Sequence, residues 1–247
     1  MNKVNIRFYE ELNDFLPIDY HKKWLIYEFT WKDTVRNALE SFGVPHTEVD
    51  LVLVNSKPVA FDEELKDGDL ISVYPVFESI DISETTRLRQ EALRNAEFIL
   101  DVHLGKLTGY LRMLGFDCLY RNNLEDNEII RLASEQQRII LTRDKGILRN
   151  KKVTHGYYLR SDDPREQVKE IIRRFDLKYQ IKPFSRCMNC NGLQERVSKE
   201  EVSSMLQENT RKYYHEFYRC ISCGNVYWKG GHYQKMTRWV QELGDLK

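Results

Sequence analysis

No stretch of these 247 residues approaches the roughly 18–20 uninterrupted apolar residues that a membrane-crossing helix needs. The opening segment, MNKVNIRFYEEL, also lacks the apolar core of a signal peptide. The expected location is therefore the cytoplasm, with no membrane partner. Cysteine is scarce: there are five, an odd number, and four of them fall into two CxxC pairs. That count argues against a secreted disulfide framework and for metal binding in a reducing compartment. Net charge is absent too, with 38 basic residues against 38 acidic ones, and the chain contains no internal repeat or low-complexity tract. What remains is a globular sequence, 41% hydrophobic and long enough for two or three domains.

The zero net charge conceals an asymmetry. Residues 1–80 hold 8 Lys and Arg against 15 Asp and Glu, a balance of −7, so the remaining 167 residues hold 30 against 23, a balance of +7. Polyanions are attracted to basic domains, which makes nucleic acid a reasonable partner for the second part and not for the first.

The first part opens with an alternating run from Val4 to Phe8, and a second β-rich run at Trp24 to Thr30 predicts a hairpin. From Asp33 to Gly43 the apolar positions 35, 38, 39 and 42 follow the helical period, and Gly43 supplies a stop. Leu51 to Val54 and Leu70 to Tyr74 read as two further strands, separated by the turn Lys66-Asp67-Gly68-Asp69. Two strands, a helix and two strands within 80 residues is the order of a β-grasp, and LVLVNSKPVAFDEELKDGDLISVYPVF resembles the closing half of the ubiquitin-like sulfur carriers. Those carriers end in a free Gly-Gly tail. Here Tyr74-Pro75-Val76-Phe77-Glu78 has no glycine and runs on into more protein, so residues 1–80 read as a fused binding or regulatory module with a protein partner of its own.

Residues 81–96, DISETTRLRQEALRNA, are charged and weakly periodic and read as a linker. Beyond them strands and helices alternate, which implies a parallel sheet with helices on its faces. The strands are Phe98–Leu100, Cys118–Tyr120, Arg138–Thr142 and Gly156–Arg160, with helices at Leu104–Leu114, at Asn127–Ala133 and after Asp163-Pro164-Arg165-Glu166. The last has Asp at N-cap, Pro at N1 and Glu at N3. In such a sheet the ligand crevice lies beyond the carboxyl ends of the strands. Asp101, Asp126, Asp144 and Asp162 all fall at that end in the chain. Converging carboxylates repel one another unless a cation sits among them, and a hard divalent ion such as Mg²⁺ or Mn²⁺ prefers an oxygen cage. Asp101, Asp126 and Asp144 also each precede a predicted helix, and each alone reads equally well as an N-cap.

The blocks FILDVHLGKLTGYLRMLGFDCLYRNNLEDNEIIRLASEQQRIILTRDKGIL and THGYYLRSDDPREQ, followed by the paired CxxC motifs, resemble the Mut-7-C RNase family. The resemblance covers roughly residues 97–235 and implies a PIN-like nuclease domain at 97–183 and a zinc ribbon at 184–235, with a ubiquitin-like front domain in some members. It implies RNA as substrate and places Asp101, Asp126 and Asp144 on the acidic positions. Asn123 and Asn127 stand in a loop where relatives are more acidic, which leaves Glu125 and Glu128 as alternatives to Asp126. Lys106, Arg112, Arg143 and Lys145, near these acids, are candidates to pair with RNA phosphates or with the carboxylates. His103 reads first as a structural hydrogen-bonder and Cys118 as a small core residue. The rival readings are a non-catalytic RNA-binding or adaptor protein and a ubiquitin-like carrier.

The four remaining cysteines carry the sharpest signal. Cys187-x-x-Cys190 and Cys220-x-x-Cys223 each place two thiolates on a tight knuckle, and two knuckles complete a tetrahedral structural Zn²⁺ site with no open position for catalysis. Around the second knuckle lie Arg211-Lys212-Tyr213-Tyr214 and Tyr227-Trp228-Lys229-Gly230-Gly231-His232-Tyr233. Interleaved aromatic and basic residues either stack on RNA bases or pack the ribbon against its neighbour.

Overall fold

The computed structural model describes residues 1–75 and 96–244, so the predicted linker at 81–96 lies outside the described residues except for Ala96. The chain divides into two compact units, Met1–Asn95 with Glu125–Leu159, and Ala96–Leu124 with Arg160–Lys247. The fold is mixed α/β, with a separate sheet at the N-terminus and a cysteine-bearing ribbon near the C-terminus.

The N-terminal sheet follows from alternation. β1 (Asn2–Phe8) turns Val4, Ile6 and Phe8 inward and pairs antiparallel with β2 (Leu25–Phe29), as the hairpin reading expects. α1 (Val35–Ser41) starts at Thr34, whose side chain accepts the Asn37 N–H, and buries Val35, Ala38 and Leu39. β3 (Val49–Val54) carries a two-residue edge partner, β4 (Lys57–Pro58), too short to leave a periodic signal in the sequence. β5 (Leu70–Pro75) lies in the middle, parallel to β1 and antiparallel to β3, giving the order β2-β1-β5-β3-β4. One apolar core of strand and helix residues fills the space beneath this sheet.

In the second unit, β6 (Glu97–Leu100) and β7 (Asp117–Leu119) form a parallel pair in which Phe98 faces Cys118 across the register. The crossover between them is α2 (Gly105–Met113), which buries Leu107 and Leu111. Gly115 ends the crossover at φ +95, and a Cβ there would lie 2.3 Å from the Lys182 carbonyl oxygen. Both the turn and the close approach require glycine.

The chain then returns to the first unit. α3 (Asp126–Glu135) buries Ile129, Ile130 and Ala133, and β8 (Ile139–Thr142) is buried at every position, as a strand covered on both faces must be. After α4 (Lys145–Arg149), β9 (Gly156–Tyr158) pairs parallel with β8. Two buried polar residues from the segment before β3 close this unit. His46 Nε2 donates to the Val153 carbonyl at 2.8 Å while Nδ1 lies 2.7 Å from Glu40, and Glu48 Oε1 accepts the Tyr158 N–H at 2.6 Å. Phe15 meets Tyr158 edge-on at 5.4 Å, so the N-terminal core extends onto β9.

In the rest of the second unit, α5 (Pro164–Arg174) begins as its sequence predicts. The Asp163 carboxylate accepts the N–H groups of Arg165 and Glu166, and Pro164 opens the helix. β10 (Gln194–Val197) is followed by α6 (Lys199–Val202) and α7 (Glu208–Tyr213), then by β11 (Phe217–Cys220) and β12 (Val226–Trp228). The three strands make an antiparallel ribbon in the order β10-β11-β12 over a small core of Val202, Leu206 and Phe217. α8 (Gly231–Gly244) completes the unit and sets Trp239 against Tyr110 of α2 at 4.8 Å. Among the described residues no helix is long and apolar enough to cross a membrane.

Glu48 is 2% exposed and holds a strand amide that has no other strand to pair with. Glu48→Ala is expected to cost about 1–3 kcal/mol, read as a lower unfolding midpoint in urea, and to speed hydrogen exchange at the Tyr158 amide. Unchanged exchange at Tyr158 would mean that the carboxylate does not hold it.

Candidate metal centre and strand-end carboxylates

The two knuckles converge. The sulfur atoms of Cys187, Cys190, Cys220 and Cys223 all lie within 4.8 Å of one another, with Cys187 to Cys223 at 3.6 Å and Cys190 to Cys220 at 3.4 Å. A tetrahedron with bonds of about 2.3 Å has edges of about 3.8 Å, so this donor set can hold a metal such as zinc. The knuckle backbones turn their N–H groups toward sulfur: Cys190 N–H approaches Cys187 Sγ at 3.5 Å, while Ser222 and Cys223 approach Cys220 Sγ at 3.4 and 3.5 Å. The Tyr227 hydroxyl reaches Cys187 Sγ at 3.0 Å. Burial by itself raises the Cys187 thiol, but the Tyr227 hydroxyl and the N–H groups of Cys190 and Asn189 outweigh it and hold the pKa at about 7. Cys187 thus gives up its proton to a metal with little cost.

Asn191 and Gly192 build the turn that follows the first knuckle. Asn191 has φ +74, and a Cβ on Gly192 would lie 2.9 Å from Cys220 Sγ. The Asn191 side chain accepts the Cys118 N–H and donates to Asp117, each at 3.0 Å, and Arg186 pairs with the same Asp117 at 3.0 Å. The knuckle is thereby tied to the end of β7. The Asn-Gly pair directly after Cys190 is a turn signal that marks this position in the sequence.

Arg112, expected among the phosphate-binding residues, has a different position. It is 4% exposed, and its guanidinium donates to the Cys118 carbonyl at 2.8 and 3.1 Å and to the Asn189 carbonyl at 2.6 Å, with Met188 at 3.4 Å. Burial pulls its pKa below the ordinary guanidinium value, and the nearby cysteines push it back. Its donors are spent on backbone, so it is a strut between α2, β7 and the first knuckle.

The other basic candidates differ among themselves. Lys106 is exposed on the first turn of α2. Arg143 is half-buried and donates to the Leu159 carbonyl at 3.3 Å. The Lys145 ammonium lies over the rings of Phe15 and Tyr158, 5.0 and 5.5 Å from their centres, and burial there lowers its pKa.

The structure separates the four acids, which look alike in the sequence. Asp144 is exposed and caps α4, its Oδ1 accepting the Gly146 N–H at 2.6 Å. Asp101 follows β6, is 6% exposed, and makes no capping bond to the turn after it. Asp126 is the exposed first residue of α3, and Glu125 at the N-cap makes no side-chain cap either. Asp162 is exposed in the turn before the capping Asp163. Asp101 and Asp162 belong to the second unit, Asp126 and Asp144 to the first. Of the alternatives, Glu125 is exposed and Glu128 half-buried. His103 is exposed, and Cys118 is fully buried, as a core residue should be.

Parallel strand pairs with crossover helices, carboxylates at the strand ends, a four-cysteine ribbon and an N-terminal ubiquitin-like sheet define a multi-part α/β protein with a nuclease-like domain. Residues 96–240 match the model of the Mut7-C RNAse domain and residues 1–81 that of the Mut7-C ubiquitin domain, and the chain belongs to the Mut7-C RNase family. No curated protein matches this chain. A solved structure, "Putative molybdopterin converting factor, subunit 1 from Pyrococcus furiosus", is similar at 24% identity over 31% of this chain and 100% of its own, with a TM-score of 0.25.

Elemental analysis of protein purified without chelator is expected to give about one zinc per chain, and Cys187→Ser or Cys220→Ser to lose it. A ratio near zero for the unaltered protein would remove the metal from this site. Arg112→Lys keeps the charge but cannot span the two carbonyls. It should lower stability by about 2–3 kcal/mol, whereas a phosphate-binding residue would tolerate the change.

Proposed function

We propose that the chain is a divalent-metal-dependent ribonuclease in which Asp101, Asp126 and Asp144 supply the carboxylates, with Asp162 as a fourth contributor, and in which zinc fills the cysteine site as a structural ion. The observation that carries this reading is Asp101 within the Mut7-C RNAse match: a buried carboxylate at the carboxyl end of a parallel strand that caps no helix. In an open parallel sheet the carboxyl ends of the strands are where a ligand is met, and Asp101 stands directly after one of them. The oxygen donors suit Mg²⁺ or Mn²⁺. Such an ion polarises a phosphodiester and lowers the pKa of attacking water. The chain's own part is to hold carboxylates on rigid strand ends and to bring basic side chains to the RNA backbone. Lys106 is exposed and the best placed for that, since Arg112 is committed to the ribbon, Lys145 to two aromatic faces and Arg143 to the Leu159 carbonyl. The ubiquitin-like sheet offers a surface for a protein partner.

A second reading, an RNA-binding protein without catalysis, draws on Asp144, whose carboxylate has a complete structural explanation as a cap. Asn caps as well as Asp but lacks the charge, so Asp→Asn substitutions divide the two. Asp101→Asn, Asp126→Asn and Asp144→Asn are each expected to keep the melting temperature and zinc content. Cleavage of single-stranded RNA in Mn²⁺ should fall roughly 100- to 1,000-fold, which is about 3–4 kcal/mol of transition-state stabilisation. Asp163→Asn should leave cleavage intact. Equal rates for the unaltered protein and Asp144→Asn would turn the assignment toward the binding protein.

A further inference from the structure

The ribbon and α8 enclose a groove of about 210 Å³ with a largely aromatic wall. Phe184 and Tyr233 stand on one side with ring centres 4.5 Å apart, and Tyr218 and Tyr227, opposite each other on β11 and β12, line it from the ribbon, with Met188 from the first knuckle. Lys229 is the charged residue in the wall. Phe184 has φ +60, a conformation that costs a bulky residue of order 1–3 kcal/mol. The backbone is held there by the Phe184 N–H to Met113 carbonyl bond at 2.7 Å and the Lys182 N–H to Leu114 carbonyl bond at 2.9 Å. A strained backbone thus presents an aromatic ring to a groove, where relaxation would withdraw it.

We propose that this groove takes one unstacked base of single-stranded RNA, held between aromatic faces, with its phosphate beside Lys229. This rests on the ribonuclease reading and names a substrate subsite within it. Size favours a single flat heterocycle, because drug-sized ligands occupy pockets of about 300 Å³ and more. The wall is that of a stacking platform, in which each base contributes through its π-face without regard to sequence. Charge favours an anion, since the one charged residue of the wall, Lys229, is a cation. Lys229 is paired with Glu216 at the exposed surface, an ion pair that a phosphate can replace at small cost. A peptide of apolar side chains would gain nothing from this cation.

The test uses the full-length, zinc-loaded protein carrying Asp144→Asn, so that RNA is bound and not cut. A fluorescein-labelled single-stranded RNA of mixed sequence is titrated beside a strand of the same length made wholly of abasic nucleotides. Tyr233→Ala and Tyr218→Ala are each expected to weaken binding of the normal strand roughly 5- to 150-fold, the range for losing one stacked base, and to leave binding of the abasic strand unchanged. Tyr218→Phe, which keeps a stacking face, should restore most of the affinity. Zinc content read in parallel shows that the ribbon is intact, and if Tyr233→Ala loses zinc the Tyr218 pair decides alone. Equal affinity of the Asp144→Asn protein for normal and abasic strands, absence of binding to either, or indifference to both alanine substitutions overturns the proposal and turns the groove toward a protein ligand. The outcome is separate from catalysis: aromatic-dependent binding in a protein that never cleaves RNA would sink the ribonuclease reading and keep the groove.

Discussion

The guanidinium of Arg112 is the point on which the second unit depends. A cation that is 4% exposed is costly unless every donor finds an acceptor, and the acceptors come from two places: Cys118 at β7, and Met188 and Asn189 in the first knuckle. Four thiolates around a divalent ion would leave two formal negative charges, and the buried guanidinium beside the knuckle would offset one of them. The knuckle's carbonyls satisfy Arg112, and Arg112 fixes that knuckle to the end of β7. Asp117 and Asn191 repeat the connection at the surface. The cysteine ribbon is therefore part of the packing of the β6/β7 pair.

The first unit relies on the same device with opposite charge. Glu48 and His46 precede β3, and their partners, Tyr158 and Val153, lie at β9 and in the turn before it. A buried carboxylate that accepts a strand amide takes the place of a neighbouring strand. Lys145, with its ammonium on Phe15 and Tyr158, adds a third polar connection one residue from Asp144. The position of Asp144 is thus set partly by side chains of the ubiquitin-like part.

Much of this was legible in the sequence, for a physical reason: strands and helices with one buried face leave a period, and caps leave a residue type. Val4 to Phe8, the helix after Thr34 and the Asp163-Pro164 start of α5 could all be read that way. So could the convergence of the four cysteines, because a CxxC pair has few other uses. β4 is too short for a period. α8 was missed, although Tyr233, Met236, Val240 and Leu243 recur at helical spacing. The candidate site was less legible. Asp101 and Asp144 look identical as acids after apolar strands, and only three-dimensional geometry shows that one caps and the other does not. Arg112 reads in the sequence as a candidate partner of phosphates or carboxylates because two of the carbonyls that hold it lie 76 and 77 residues away.

The interleaving of the two units affects how the protein is made. His46 and Glu48 emerge from the ribosome 107 and 110 residues ahead of the groups they bond. At roughly 5–20 residues per second, the N-terminal sheet waits about 5–20 s with two polar side chains, Phe15 and part of its apolar core facing water. The acidic balance of residues 1–80 then has a use apart from any partner, since like charge keeps half-finished chains from associating while the core is open.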